Sequence, residues 1–174
     1  VLGLEIVRHY NSQYSLPNVP TGVMGHGWKL SYETELFDTP VGIQIVQADG
    51  TRLIFQRGPD DSSPCTSPNP ANGSVTVVDK PHGKEYIWRW MGNVKDGGRT
   101  LLFNREGKLV QIAAPTGEFV TLLYSPKGWL LQVRDPQGRE LNLNYLDAKT
   151  ARADKDGTQS FRGVQSIDSP VGRF

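Results

Sequence analysis

One turn, spelled again and again, constrains this chain more than anything else in it. Six copies of the string x-Pro-x-Gly set the pattern: Thr39-Pro40-Val41-Gly42, Lys80-Pro81-His82-Gly83, Ala114-Pro115-Thr116-Gly117, Ser125-Pro126-Lys127-Gly128, Asp135-Pro136-Gln137-Gly138 and Ser169-Pro170-Val171-Gly172. Proline presets φ at about −65° for the second position of a type I turn, and glycine at the fourth accepts a positive φ at little steric cost. Asn104-Arg105-Glu106-Gly107 and Gln47-Ala48-Asp49-Gly50 spell the same turn without proline. Half of the 12 prolines therefore sit at one position of what reads as one turn type.

Between the turns the apolar residues alternate with period two, as half-buried strands do. Leu141-Asn142-Leu143-Asn144-Tyr145 puts Leu, Leu and Tyr on one face, and Tyr86-Ile87-Trp88-Arg89-Trp90 puts three aromatics on one face. Gly42 to Val46 and Thr51 to Phe55 read similarly. Helical spacing is nearly absent, with Asp147 to Ala153 the best short-helix candidate. The fold class expected is all-β, an antiparallel meander of consecutive hairpins.

A repeat sharpens that expectation. Phe103, Tyr124 and Tyr145 follow one another at 21-residue steps, and the same step links Gly107 to Gly128, Leu109 to Leu130, Ile112 to Val133, Pro115 to Pro136 and Gly117 to Gly138. Each unit, turn-strand-turn-strand, supplies one hairpin that cannot bury its apolar face alone, so neighbours must stack. The register lapses across 146–161 and resumes at Val164-x2-Ile167-x2-Pro170-x-Gly172, about 13 residues late. That polar insertion is expected to be a loop on one rim. A second irregular stretch, Arg57 to Ser74, is rich in Pro, Ser, Asp and Asn and reads as a long exposed loop. The organisation expected is an opening segment at 1–56, an exposed loop at 57–74 and a repeat sheet at 75–174.

Composition removes several classes. Nineteen Lys+Arg against 18 Asp+Glu leave a net charge of +1, without the basic surplus of a nucleic-acid or anionic-membrane binder. No apolar run approaches the roughly 18 residues that span a bilayer. A lone cysteine, Cys65, excludes an internal disulfide and a cysteine zinc site. The first residues have no signal-peptide layout, and Val1 is not read as a native translation start.

The unit of an aromatic, then G-x-L-x-x-I, then a turn, resembles the YD repeat of bacterial Rhs proteins. Arg8-His9-Tyr10-Asn11-Ser12, followed by Gly25-His26-Gly27-Trp28 and Tyr32, is similar to the block that opens the Rhs core, and Asp49-Gly50-Thr51-Arg52-Leu53-Ile54-Phe55 is similar to the strand that follows it. The resemblance implies a non-catalytic scaffold, a segment of a large hollow β-shell that encloses a carboxy-terminal toxin for delivery to competitor cells. It also implies secretion, in many bacteria through the type VI machinery. The implied partners are the remaining repeats or another copy through edge strands, the encapsulated toxin and secretion-spike proteins. Tyr10, Gly25, Gly27, Trp28, Phe103, Gly107, Gly117, Tyr124, Gly128, Gly138 and Tyr145 are the positions expected to carry the architecture. No catalytic, cofactor-binding or metal-ligating residue is expected. Asp135-Pro136-Gln137-Gly138 matches the family's self-cleavage letters, yet occupies the ordinary repeat turn. The chain stops inside a unit, and an open sheet cut there leaves unpaired edge groups, so at least one terminal strand is expected to pair with another chain or copy.

The residues with chemical potential read mainly as structural. His9, His26 and His82 lack metal-ligand spacing. There is no Gly-x-Ser-x-Gly elbow. Glu33 and Glu35, two apart on an expected strand, could pose as paired carboxylates for glycoside hydrolysis, but read as exposed-face glutamates. Cys65 has no basic neighbour in sequence nearer than Arg57 and reads as inert. Asn72-Gly73-Ser74 fits a glycosylation acceptor pattern that a bacterial effector would not use. Trp28, Tyr32, Tyr86, Trp88 and Trp90 are expected to pack, Trp28 docking against the first strands through the Gly25–Gly27 turn. Their exposure in a groove would instead favour a carbohydrate- or receptor-binding module at a cell surface.

Overall fold

The computed structural model describes residues 3–15, 22–91, 98–146 and 163–174. Strands β1 (Arg8–Tyr10) and β2 (Trp28–Leu30) make a two-stranded ribbon. The rest form one 13-stranded antiparallel sheet whose spatial order is the chain order. These are β3 (Glu35–Thr39), β4 (Gly42–Val46), β5 (Arg52–Gln56), β6 (Cys65–Thr66), β7 (Ser74–Lys80), β8 (Gly83–Trp90), β9 (Arg99–Phe103), β10 (Leu109–Ala113), β11 (Phe119–Tyr124), β12 (Leu130–Arg134), β13 (Glu140–Tyr145), β14 (Val164–Ser169) and β15 (Gly172–Arg173). Two short 3-10 turns, Ser12–Ser15 and Pro70–Asn72, are the only helical pieces among the described residues. The meander of consecutive hairpins read from the turns is the fold.

The alternation decides which face is buried. Ile43, Ile45, Phe55, Val75, Tyr86, Trp88, Leu101, Phe103, Leu109, Val120, Leu122, Leu130, Val133, Leu141, Leu143 and Ile167 form one continuous core, joined by Leu30, Tyr32 and Leu36 from the opening segment. Leu4, Ile6, Val23 and Met24 pack against the same cluster, so the amino-terminal segment covers the apolar face of the sheet. The opposite face carries side-chain ladders, with Gln132 bonded to Asn142 at 2.9 Å and Asn144 to Asp168 at 2.9 Å.

The sheet is rolled. Strands β3 and β8 are five positions apart, which in a flat sheet would separate them by roughly 24 Å. Yet the Tyr86 hydroxyl on β8 donates to the Asp38 carboxylate on β3 at 2.9 Å. The roll does not close into a barrel: among the described residues one isolated bridge, Glu35 with Lys108, joins β3 to the far strands.

The shared turn spelling yields two geometries, not the one expected. At Ala114, Ser125 and Asp135 the glycine N–H donates to the first residue's carbonyl at 2.8–3.0 Å, and the first residue's N–H donates to the carbonyl of the residue after the glycine. That is a type I turn with a glycine bulge, and Gly117, Gly128 and Gly138 have φ of 89°, 80° and 80°. Gln47 and Asn104 open the same turn without proline. At Thr39, Lys80 and Ser169 the first residue instead pairs directly with the glycine, leaving two-residue loops. Gly42, Gly83 and Gly172 there have φ of 153°, 123° and 139°.

One further expectation is amended and another holds. The stretch 57–74 is not all loop: Cys65–Thr66 pairs with Val75 and Ser74, which places the Cys65 thiol in the core. The repeat does resume at Val164, which pairs with Tyr145 as Leu130 pairs with Tyr124 and Leu109 with Phe103. Most of the 146–161 insertion, and the short-helix candidate 147–153, lie outside the described residues.

Candidate functional site

The repeat explains itself at Tyr124 and Tyr145. The Tyr124 hydroxyl donates to the Leu109 carbonyl at 2.8 Å, and the Tyr145 hydroxyl to the Leu130 carbonyl at 2.6 Å. Donors and acceptors are each displaced by one 21-residue unit. Leu109 and Leu130 begin their strands beside breaks in register, where ladder pairing alone leaves backbone groups over. Burial pushes both phenols well above their ordinary pKa, which keeps them protonated as donors. Phe103 holds the same position in the first unit and has no hydroxyl; it fills the core instead.

Three of the glycine-bulge turns are fixed by the side chain that opens them. Asn104 Oδ1 accepts the Glu106 and Lys108 N–H groups, and Ser125 Oγ accepts that of Trp129. Asp135 Oδ1 accepts the N–H groups of Gln137 and Arg139 at 3.0 and 2.8 Å, and Oδ2 accepts Arg139 Nε at 2.6 Å. The Asp135 side chain is fully buried. Burial alone would raise its pKa, but the bonds from Arg139 and Gln137 outweigh that and hold the carboxyl below its usual range. Each of these bonds serves the turn that the self-cleavage letters happen to spell.

The opening segment departs furthest from expectation. Trp28 is 36% exposed and Tyr10 57% exposed. They face each other across the β1–β2 ribbon with ring centroids 5.0 Å apart, and the Arg8 guanidinium lies 5.1 Å from the Trp28 ring. The Trp28 ring thus packs on β1 and stays partly exposed outside the buried core, whereas Leu30, two residues on in the same strand, and Tyr32 are buried in it. The glycine turn itself forms as read, with Gly25 and Gly27 at φ of 106° and 78°. Tyr86 and Trp88 are buried, Trp90 half-buried; Trp88 Nε1 donates to the Asn72 carbonyl at 2.7 Å.

Glu33 and Glu35 are not exposed-face strand glutamates, and only Glu35 lies in a strand. The Glu33 carboxylate accepts the N–H groups of Val23 and Leu30 at 2.9 and 2.7 Å, stapling the glycine turn to the segment after it. Burial raises its pKa against those bonds. Glu35 pairs with Lys108. His82 sits exposed beside Glu85 at 3.3 Å, and burial raises the Cys65 thiol pKa. Among the described residues no three His, Cys, Asp or Glu side chains gather as metal ligands do.

Sequence reasoning missed two features. Gly22 packs so closely that a Cβ there would meet the Trp28 carbonyl oxygen at 2.3 Å, a proximity that no local spelling signals. An open groove of about 890 Å³ runs between the amino-terminal segment and β13–β15, lined by Leu4, Ile6, Met24, Leu141, Ile167 and Phe174 among others.

Residues 1–55 match the family described as "Domain of unknown function (DUF6531)". The match runs from the opening segment into β5 and stops before the repeat. No curated protein matches this chain.

Proposed function

We propose that this chain is a non-catalytic wall segment of an Rhs/YD-repeat shell, one that encloses a carboxy-terminal toxin and is exported with it to competitor cells. The observation that carries the reading is the displaced pair of hydrogen bonds, Tyr124 to Leu109 and Tyr145 to Leu130. A rule that repeats every unit lets a sheet extend by adding hairpins, which is what a wall requires. The continuous apolar face and the burial of Trp88 support it, since a recognition surface would present those aromatics. The cargo, the secretion-spike proteins and the further repeats are the partners this reading implies.

The runner-up is a cell-surface carbohydrate- or receptor-binding module, favoured by the exposed Tyr10–Trp28 pair. Intact mass and co-purification from native cells separate the two. The wall reading expects a larger parent polypeptide with a cleaved carboxy-terminal product that stays bound and protected from protease until the shell is unfolded. A stable protein of only this length, with no co-purifying product, would overturn it.

A further inference from the structure

Strand β3 is an edge strand, and an uncovered edge is a template for pairing with another chain. Antiparallel alternation turns the backbone of Leu36 and Asp38 away from β4. The Leu36 N–H is taken by the Gly107 carbonyl at 2.9 Å, in the turn between β9 and β10. Lys108 ion-pairs with Glu35 beside it. The Asp38 carboxylate holds Arg57 and Tyr86, and Arg57 also donates to the Thr39 carbonyl at 2.8 Å. The approach depends on glycine: a Cβ on Gly107 would lie 1.9 Å from the Leu36 carbonyl oxygen.

We propose that the β9–β10 turn is an edge guard, which occupies the pairing edge of β3 and so bars a second copy of this chain from adding there. The occupant kept out follows from the strand's symmetry. β3 runs Glu35–Thr39 with Phe37 at its centre, so two-fold antiparallel pairing sets Leu36 against Asp38 of the copy, with outward-facing backbone on both sides. Phe37 then meets the same residue of the copy. Phe37 is 46% exposed, and Ile54, 61% exposed, lies on the same face two strands over, giving the contact apolar surface to bury. This inference stands on the seam alone and does not depend on what the sheet encloses.

Gly117 supplies the control. It sits in the same kind of turn at φ 89°, against 74° for Gly107, but a Cβ there meets nothing within 4 Å. Gly107→Ala and Gly117→Ala thus share the local strain, and only the first opens the seam. In Gly107→Ala the Leu36 amide is expected to exchange with solvent about tenfold faster or more, and sedimentation to show a concentration-dependent dimer. Adding Phe37→Lys should abolish that dimer, and Gly117→Ala should show neither change. Unchanged Leu36 exchange in Gly107→Ala, faster exchange without a dimer, or an equal dimer in Gly117→Ala would each overturn the proposal. If Gly107→Ala does not fold, Lys108→Ala removes the ion pair without touching the backbone. It should give smaller changes of the same sign, and their absence would count against the guard equally.

Discussion

The two halves of the sheet solve one problem in different ways. From β10 to β13 the strands share devices that a neighbour can copy: glycine-bulge turns, those at Ser125 and Asp135 fixed by the opening side chain, and a tyrosine that returns to the previous unit's leucine carbonyl. From β3 to β9 the chain instead relies on contacts made once. Asp38 reaches Tyr86 across the roll, Trp88 reaches the Asn72 carbonyl, and Gly107 receives the Leu36 N–H. The Tyr86 phenol, pushed up to about 12 by burial and by its bond to Asp38, remains a donor throughout the physiological range. A copied rule extends a sheet, whereas single contacts bend it and end it.

The largest expected effect tests the singular half. Trp88→Ala removes a ring that is 1% exposed and should cost about 3–5 kcal/mol. Trp28→Ala should cost only about 1 kcal/mol, the worth of an aromatic pair on a partly exposed ribbon. Denaturant titration of both variants measures the gap, and equal losses would erase the distinction between the docked core and the ribbon.

Next comes Asp135→Ala, expected to cost about 2–3 kcal/mol because a buried carboxylate with three donors is lost. The pH dependence has a definite sign. The folded-state pKa of Asp135 is depressed, so its contribution is present above the unfolded value of about 3.9 and lost as pH falls through the folded value. The variant's stability profile should therefore lose part of its fall below about pH 4. A parallel displacement of the whole curve would show that the carboxylate's charge is irrelevant.

Tyr145→Phe and Tyr124→Phe should each cost about 1–2 kcal/mol by leaving a leucine carbonyl without its donor. If both are neutral, the copied rule is packing alone. The smallest effect is a gain. Ala114 opens the same turn as Asn104, Ser125 and Asp135 but has no acceptor, so Ala114→Asn should stabilise by about 0.5–1 kcal/mol. Calorimetry should register it as a rise in Tm of a few degrees at most.

Much of the repeat half was legible because its determinants are local. Gly117 and Gly138 recur because their turns need a positive φ, and Leu141, Leu143 and Tyr145 alternate because one face is buried. The turn geometry was not legible from the spelling: Ser169-Pro170-Val171-Gly172 keeps the letters of its predecessors yet closes as a two-residue loop. Gly25 and Gly27 announced the turn that brings Trp28 onto Tyr10 of the first strand, but not that its ring stays partly exposed while Leu30 beside it is buried.

The sequence by itself determined most of the strands, their order and the 21-residue rule, since turn chemistry and period-two alternation act between residues close in the chain. Only the tertiary structure decided the roll, the seam of Leu36 on Gly107, and the staple of Glu33 on Val23 and Leu30. These join segments whose approach depends on how twist accumulates over many strands, a quantity that no single stretch of sequence encodes.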